Sequence, residues 1–101
     1  MIYEKLPVRI EASRFELVGE PHLEFTVVWD DPSDWIIEAT QKPFQEIGSV
    51  FSSHMWRQLC VHTLEGIMNG KSGDYLIKGV KGELYICDAD IFKQTYRLIE
   101  E

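Results

Sequence analysis

Residues 73–92, GDYLIKGVKGELYICDADIF, constrain the fold more than any other part of the chain. Two short runs of alternating apolar and polar residues, YLIKGV and ELYICD, predict two β-strands. Gly79 and Gly82 between them supply the positive-φ positions that a tight hairpin connection needs. Asp88 can cap a following helical turn, ADIFKQTY. We expect four apolar residues of this unit in the core: Ile77, Leu84, Ile86 and Phe92.

Alternation also predicts strands near the start of the chain. Apolar and polar residues alternate from residue 7, but at Phe15 the apolar residues move from even to odd positions. This change predicts a strand over residues 7–17 with a bulge or an early end near Ser13. A turn at residues 19–21 and a cleanly alternating run at residues 22–29 follow. We therefore expect these two strands to form an antiparallel pair.

The middle of the chain carries the helix signal. Asp30 or Asp31 can cap a helix that begins at Pro32, because the missing N–H of proline has no partner at that position in any helix. Pro43 stops this helix. Residues 44–56 have neither a period of two nor one of 3.6, so they predict a loop with one helical turn at most.

Downstream of this loop the alternation returns. Residues 58–64 predict a strand, residues 66–68 its short continuation, and residues 69–73 a turn rich in glycine and asparagine. Residues 97–101 predict a last edge strand. The order of elements predicts a single α+β domain over residues 1–101, with a mainly antiparallel sheet and one or two short helices.

The charge of the chain limits its partners. Ten Lys and Arg against seventeen Asp and Glu give a formal charge of −7, which repels phosphate backbones. The same charge suits a protein partner with a basic groove. The first residues lack the pattern of a signal peptide, and no run approaches the ~18 apolar residues of a membrane span. We expect a cytosolic protein that binds neither nucleic acid nor membranes.

The C-terminal stretch also resembles a known pattern. Residues 73–96, with GD-Y-L-I-K-G-V-K-G-E-L-Y and then D-I-F and T-Y, resemble the C-terminal signature of a widespread family of small phage and prophage proteins. Residues 7–15 and Thr63–Gly66 are similar to two further family features, whereas Ile86, Asp88 and Ala89 depart from the pattern. The family has no agreed activity, so the resemblance implies a phage origin and the cytoplasm of a bacterial host, and it assigns no catalytic residue.

Metal binding has one weak candidate. Cys60 and His62 lie two apart on a predicted strand and therefore project from one face. A zinc site would need further ligands such as His22, His54 or Cys87, and zinc sites normally contain two short-spaced pairs. A buried thiol beside a half-exposed imidazole is the simpler interpretation, so we expect no metal and no cofactor.

Catalytic constellations are equally weak. A cysteine nucleophile needs an electropositive setting, which is hard to build in an acidic chain. Glu65, Asp74 and Glu83 act together as catalytic acids only if the strands bring them together. The sequence contains no phosphate-binding glycine loop and no serine elbow. We expect a protein that is not an enzyme.

Three tryptophans exceed what a core of this size hides, so we expect at least one on the surface as an interface anchor. Three nearby aspartates are spaced loosely like a calcium loop but lack its glycine and final glutamate, so helix capping and solvation are the simpler roles. The predicted partner-binding surface combines both groups: Trp29, Asp30, Asp31, Asp34, Trp35 and Trp56.

Two functional classes remain. The first is stoichiometric binding to a bacterial host factor, such as a defence nuclease whose basic nucleic-acid-binding channel an acidic, anti-CRISPR-like protein can occupy. The alternative is a binder or hydrolase of a small nucleotide or signalling molecule. A phosphate pocket needs cations, so clustering of three candidate cations in space favours the second class and their dispersal favours the first. The candidates are Arg9, Arg14, Arg57, Lys78, Lys81 and Arg97.

Overall fold

The computed structural model describes residues 1–19, 25–53 and 55–99. In these ranges the chain forms seven strands and two helices. In chain order they are β1 (Glu11–Gly19), β2 (Phe25–Trp29), α1 (Asp34–Gln41), β3 (Val50–Ser53), β4 (Gln58–Thr63), β5 (Gly66–Gly70), β6 (Tyr75–Lys78), β7 (Leu84–Cys87) and α2 (Ala89–Thr95). The predicted α+β class is confirmed. Among the described residues, no helix is long and apolar enough to cross a membrane.

The strands form two antiparallel sheets. The larger has the order β2-β1-β6-β7, and the smaller has the order β3-β4-β5. β1 belongs to two pairs, because residues 11–14 pair with β6 and residues 15–19 pair with β2. The first strand of the chain therefore joins its N-terminal hairpin to its C-terminal one.

β1 corrects the predicted bulge near Ser13. The strand continues unbroken through Ser13, and Ser13, Phe15 and Leu17 all face the core. The shift of the apolar residues from even to odd positions has another cause. Residues 1–10 lie outside the strands and Val8 is exposed, so the alternation before residue 11 does not mark the buried face of a sheet.

The predicted cap of the first helix was also wrong. Helix α1 has Ser33 as its N-cap, and the Ser33 side chain makes no capping hydrogen bond. The Asp30 carboxylate instead accepts from the Arg14 N–H at 2.8 Å and from Ser13 Oγ at 3.1 Å. The Asp31 N–H donates to Ser13 Oγ at 3.1 Å. The two aspartates therefore attach the end of β2 to β1 and do not begin the helix.

The segment after α1 contains a strand that the sequence did not predict. Lys42 ends α1 just before Pro43, as expected, but Val50–Ser53 form β3 and pair with β4. Only Val50 of this strand is fully buried, so its pattern lacks a clear period of two. Gly66–Gly70 is not a continuation of β4 but a separate strand that folds back on it. Gly66 has a φ of 124°, which permits the tight turn.

The C-terminal hairpin and its helix are confirmed. β6 pairs with β7, and Gly82 has the expected positive φ of 83°. Gly79 has a different role, because a Cβ at this buried position would meet the Glu83 carboxylate. Asp88 caps α2 by accepting from the N–H groups of Asp90 and Ile91.

Some predictions fall at the limits of the described residues. Residues 97–99 form no strand, which contradicts the predicted edge strand there, and residues 100–101 lie outside the described ranges. The predicted turn after Gly19 and the start of the following strand also lie outside them.

The core lies where the two sheets and α1 meet. Phe15 is fully buried and packs against Trp29, with ring centroids 5.7 Å apart. A Cβ on Gly70 would come within 2.9 Å of Phe15 Cζ and 2.7 Å of Ile86 Cγ2, so β5 approaches the larger sheet closely. The buried core cluster consists of Phe15, Leu17, Phe25, Ile36, Ala39, Val50, Leu59, Val61, Leu76 and Ile86.

Two of the four predicted hairpin core residues are fully buried. Ile77 and Ile86 lie inside, whereas Leu84 and Phe92 are half-buried. Leu84 packs against the edge of the core cluster.

We predict that Leu76→Ala lowers the free energy of unfolding by about 3 to 5 kcal/mol, because Leu76 is fully buried and the packed core closes only partly around the cavity. Leu84→Ala removes the same atoms from the neighbouring strand and should cost about 1 to 2 kcal/mol, because solvent already reaches that side chain. Urea unfolding measures both variants. Equal losses would contradict this placement of the core.

Candidate functional site

A wide groove of about 1430 Å³ follows one face of the larger sheet. Arg14 and Tyr75 are register partners, so their side chains project from the same face. Helix α2 covers part of that face, because the Phe92 ring stacks on Tyr75 with centroids 3.7 Å apart. Asp30 lies along the edge of β1 that faces away from β6, where its N–H donates to the Arg14 carbonyl at 3.1 Å. The groove therefore has α2 on one side and the start of α1 on the other.

Two segments without regular structure complete the groove. Residues 5–10 line it before β1 begins, and residues 97–99 line it after α2 ends. Lys5 Nζ lies 5.6 Å from the centroid of the Tyr96 ring, a cation–π contact between the two segments. Such a contact at an exposed site is weak, so the N-terminal wall of the groove is lightly held.

The groove gathers positive charge within an acidic chain. Five of the ten Lys and Arg line it: Lys5, Arg9, Arg14, Lys78 and Arg97. Among the described residues, three acidic ones line it as well: Glu11, Asp30 and Asp31. The lining residues carry more positive than negative charge, so the negative excess of the chain comes from other residues.

Ion pairs neutralise part of this charge. Lys78 Nζ lies 3.7 Å from Glu11 Oε2, and Arg14 Nη2 lies 3.6 Å from Glu16 Oε1. Arg9 and Arg97 form no ion pair with any residue in the described ranges. These two guanidinium groups are the cations of the groove that are most available to an external anion.

Four of the six candidate cations therefore share one groove: Arg9, Arg14, Lys78 and Arg97. Arg57 and Lys81 are elsewhere. The Arg57 guanidinium lies 5.4 Å from the centroid of the Phe25 ring and donates to the Gly19 carbonyl at 3.0 Å. Lys81 lies in the turn between β6 and β7. This clustering is the arrangement that favours a small anionic ligand.

The predicted partner-binding surface divides into two parts. Asp30, Asp31 and Trp35 line the groove, and Asp34 and Trp35 line an adjoining hollow of about 520 Å³. Trp29 is next to Asp30 and packs on the core. Trp56 lies apart, in the turn between β3 and β4. Its neighbour Arg57 contacts Phe25, which lies at the start of β2. Trp29 lies at the other end of this strand, about 13 Å from Phe25 at the usual rise per residue.

The tryptophans differ in exposure. Trp29 and Trp35 are half-buried against the core, whereas 71% of Trp56 is exposed. Trp35 Nε1 is enclosed and has no hydrogen-bond partner within the described ranges. An enclosed donor without an acceptor is unusual and costly. Trp56 is thus the exposed tryptophan that the sequence predicts, and Trp35 combines a packing role with an unused donor.

The two cysteines are free thiols. Burial raises the pKa of the Cys60 thiol. Burial also raises the pKa of the Cys87 thiol, with a smaller contribution from the negative charges of Asp88 and Asp74. Both thiols therefore stay protonated at neutral pH and are poor nucleophiles.

The candidate metal ligands do not converge among the described residues, which contain no group of three His, Cys, Asp or Glu placed to hold an ion. His62 Nδ1 lies 3.0 Å from the Phe44 carbonyl, to which it donates in the matching tautomer. His22 and His54 lie outside the described residues. The positions of Cys60 and His62 thus fit the simpler interpretation of a buried thiol beside a half-exposed imidazole.

The three candidate catalytic carboxylates contact different groups. Asp74 is buried and accepts from the Lys71 N–H at 3.0 Å and from Lys71 Nζ at 3.2 Å. Glu83 accepts from the Lys81 N–H at 3.0 Å, and Glu65 lies in the turn between β4 and β5. Each position has a structural explanation in turns and strand ends.

Lys71 connects two acidic residues in a network that the sequence did not indicate. Its ammonium lies 2.9 Å from Asp88 Oδ2 and also pairs with Asp74. Hydrogen bonds to Asp88 and then Asp74 raise the pKa of Lys71. The Lys71 ammonium, together with the N–H groups of α2, lowers the pKa of Asp88. The network attaches the N-terminus of α2 to the turn before β6.

No family model matches the chain, and no curated protein or solved structure shows significant similarity to it. The resemblance of residues 73–96 to a phage family therefore stays a prediction. Function has to be inferred from the geometry and charge of the chain itself.

We predict that Asp30→Ala lowers the free energy of unfolding by about 1 to 2 kcal/mol, because the Arg14 N–H and Ser13 Oγ lose their acceptor. Asp31→Ala, the matched control, should change it by less than about 0.5 kcal/mol, because within the described ranges only the backbone of Asp31 forms hydrogen bonds. Chemical denaturation compares the two. A larger effect at Asp31 would refute the structural role of Asp30.

Proposed function

We propose that this protein acts by stoichiometric binding to a bacterial host protein, as a phage-encoded protein in the host cytoplasm. The observation that carries the proposal is the turn between β3 and β4, where 84% of Met55 and 71% of Trp56 are exposed. Trp is a preferred anchor of protein interfaces, and Met adapts to irregular partner surfaces. We call Met55 and Trp56 the hairpin tip.

The hairpin tip is braced from behind. Arg57 has a φ of 51°, a left-handed conformation that is uncommon for a residue with a side chain. The Arg57 guanidinium holds this position by donating to the Gly19 carbonyl and by lying over the Phe25 ring. A turn that is already ordered loses less conformational entropy on binding. The brace therefore favours the tip as a rigid anchor.

The charge of the chain supports a basic partner. A formal charge of −7 speeds encounter with a positively charged surface and disfavours acidic partners. Asp31 and Asp34 are exposed near the start of α1 and add to this field. We propose a partner with a basic nucleic-acid-binding groove, such as a defence nuclease, which the protein inhibits by occupancy and without catalysis.

We predict that Trp56→Ala weakens capture of the partner from bacterial lysate at least tenfold, as expected for loss of an anchor. Stability should change by less than about 0.5 kcal/mol, because the ring makes little contact with the core. Leu64→Ala is the matched control, since Leu64 is also largely exposed and lies on the next turn of the same sheet. Affinity capture with mass spectrometry identifies the partner. Undiminished capture by folded Trp56→Ala would refute the anchor.

A second candidate function is binding or hydrolysis of a small anionic molecule, such as a nucleotide or a signalling molecule. It is supported by the cations that share the groove. It stands second because the groove, at about 1430 Å³, exceeds the usual ligand pocket of about 300 to 1,000 Å³. Met55 and Trp56 do not line the groove, so the role of the hairpin tip in protein binding can be tested without disturbing the groove.

We predict saturable binding of inorganic triphosphate, measured by titration calorimetry. Arg97→Ala should weaken it about tenfold, because a charge-assisted hydrogen bond is lost. Lys93→Ala on α2 is the control, since Lys93 does not line the groove and its loss should leave affinity unchanged. Absence of saturable binding by the wild type would remove this candidate function.

A further inference from the structure

Aromatic rings line the groove beside its cations. Tyr75 and Phe92 are stacked with an interplanar angle of 6°, and Tyr96 lies 5.0 Å from Phe92 between centroids. All three are half-buried and line the groove, so part of each side chain remains open to solvent there. We call these three residues the aromatic wall. Arg97 directly follows Tyr96, which places a cation at the end of the wall.

We infer that the groove binds a free nucleotide, with its base packed on the aromatic wall and its phosphates near Arg9 and Arg97. This inference rests on the second candidate function and names its ligand class. Aromatic side chains stack on any nucleobase, and guanidinium groups match phosphate oxygens in geometry. The groove provides both kinds of group on one face of the sheet.

The charge distribution favours a free nucleotide over a nucleic-acid strand. The groove is lined by five cations and, among the described residues, by three acidic ones, which suits a ligand with two or three phosphates. A longer strand would extend beyond the groove onto a chain whose overall charge is −7. Repulsion between phosphates and that surface would oppose each added nucleotide.

The N-terminal wall of the groove is also compatible with this ligand class. Residues 5–10 form one wall, attached to Tyr96 by the Lys5 contact. A base that enters beside Tyr96 can replace the Lys5 ammonium on the ring, because an exposed cation–π contact is weak. The Lys5 ammonium is then free to pair with a phosphate. The same segment can thus border both the empty and the filled groove.

The experiment compares three probes on the full chain by titration calorimetry: adenosine triphosphate, inorganic triphosphate and adenosine. Adenosine triphosphate should bind about tenfold more tightly than inorganic triphosphate, because stacking adds to the charge contacts. Adenosine alone should bind at least tenfold more weakly than adenosine triphosphate, because it lacks the phosphates. Both comparisons use the wild type, so they do not depend on the folding of a variant.

Variants then distinguish the contribution of the aromatic ring to the affinity from that of the positive charge. Tyr96→Leu should weaken adenosine triphosphate about tenfold and leave inorganic triphosphate unchanged, whereas Tyr96→Phe, which keeps the ring, should behave as wild type. Arg97→Ala should weaken both probes by the same factor. Thermal melting confirms that each variant is folded.

Three results would overturn the inference. Equal affinity of the wild type for the two triphosphates would remove the role of the aromatic wall while leaving the second candidate function intact. Absence of binding by either would remove both. Tighter binding of a ten-residue oligothymidylate than of adenosine triphosphate would replace the free nucleotide with a single strand.

Discussion

The double pairing of β1 is the constraint on which the rest of the structure depends. One strand of nine residues pairs with β6 through its first half and with β2 through its second half. Asp30 reinforces the point of change by accepting from Ser13 and Arg14. Phe15, the first residue to pair with β2, fills the centre of the core. Without this strand, β2 and the β6–β7 hairpin would belong to no common sheet, and the groove would lose the sheet face that it follows.

Local patterns predicted the elements that depend on local chemistry. The β6–β7 hairpin, the Asp88 cap and the strand at residues 58–63 follow from alternation and capping, which act over a few residues. β3 was missed because only one of its four residues is fully buried. The helix cap was misplaced because Asp30 has a distant partner in β1, which no local pattern reveals.

The candidate surfaces show the same division. The count of aromatic residues predicts that one tryptophan is exposed. Which one it is depends on which of the three rings pack on the core. Trp29 and Trp35 pack on the core, and Trp56 does not. The groove could not be foreseen, because its cations come from four separate parts of the chain that meet only through the β1–β6 register. Sequence separation hides such a cluster even when each residue is recognised.

The ion-pair network around Lys71 makes the attachment of α2 depend on pH. Lys71 and the N–H groups of the helix hold the pKa of Asp88 below its unfolded value. The Asp88 charge therefore stabilises the fold at pH values above the unfolded pKa. This stabilisation is lost as the pH falls through the folded pKa, which is the lower of the two. Because Asp88 caps the helix that carries Phe92 and pairs with Lys71, protonation of Asp88 weakens the attachment of that helix to the turn before β6. One side of the groove is thus held in place by a charge that acid removes.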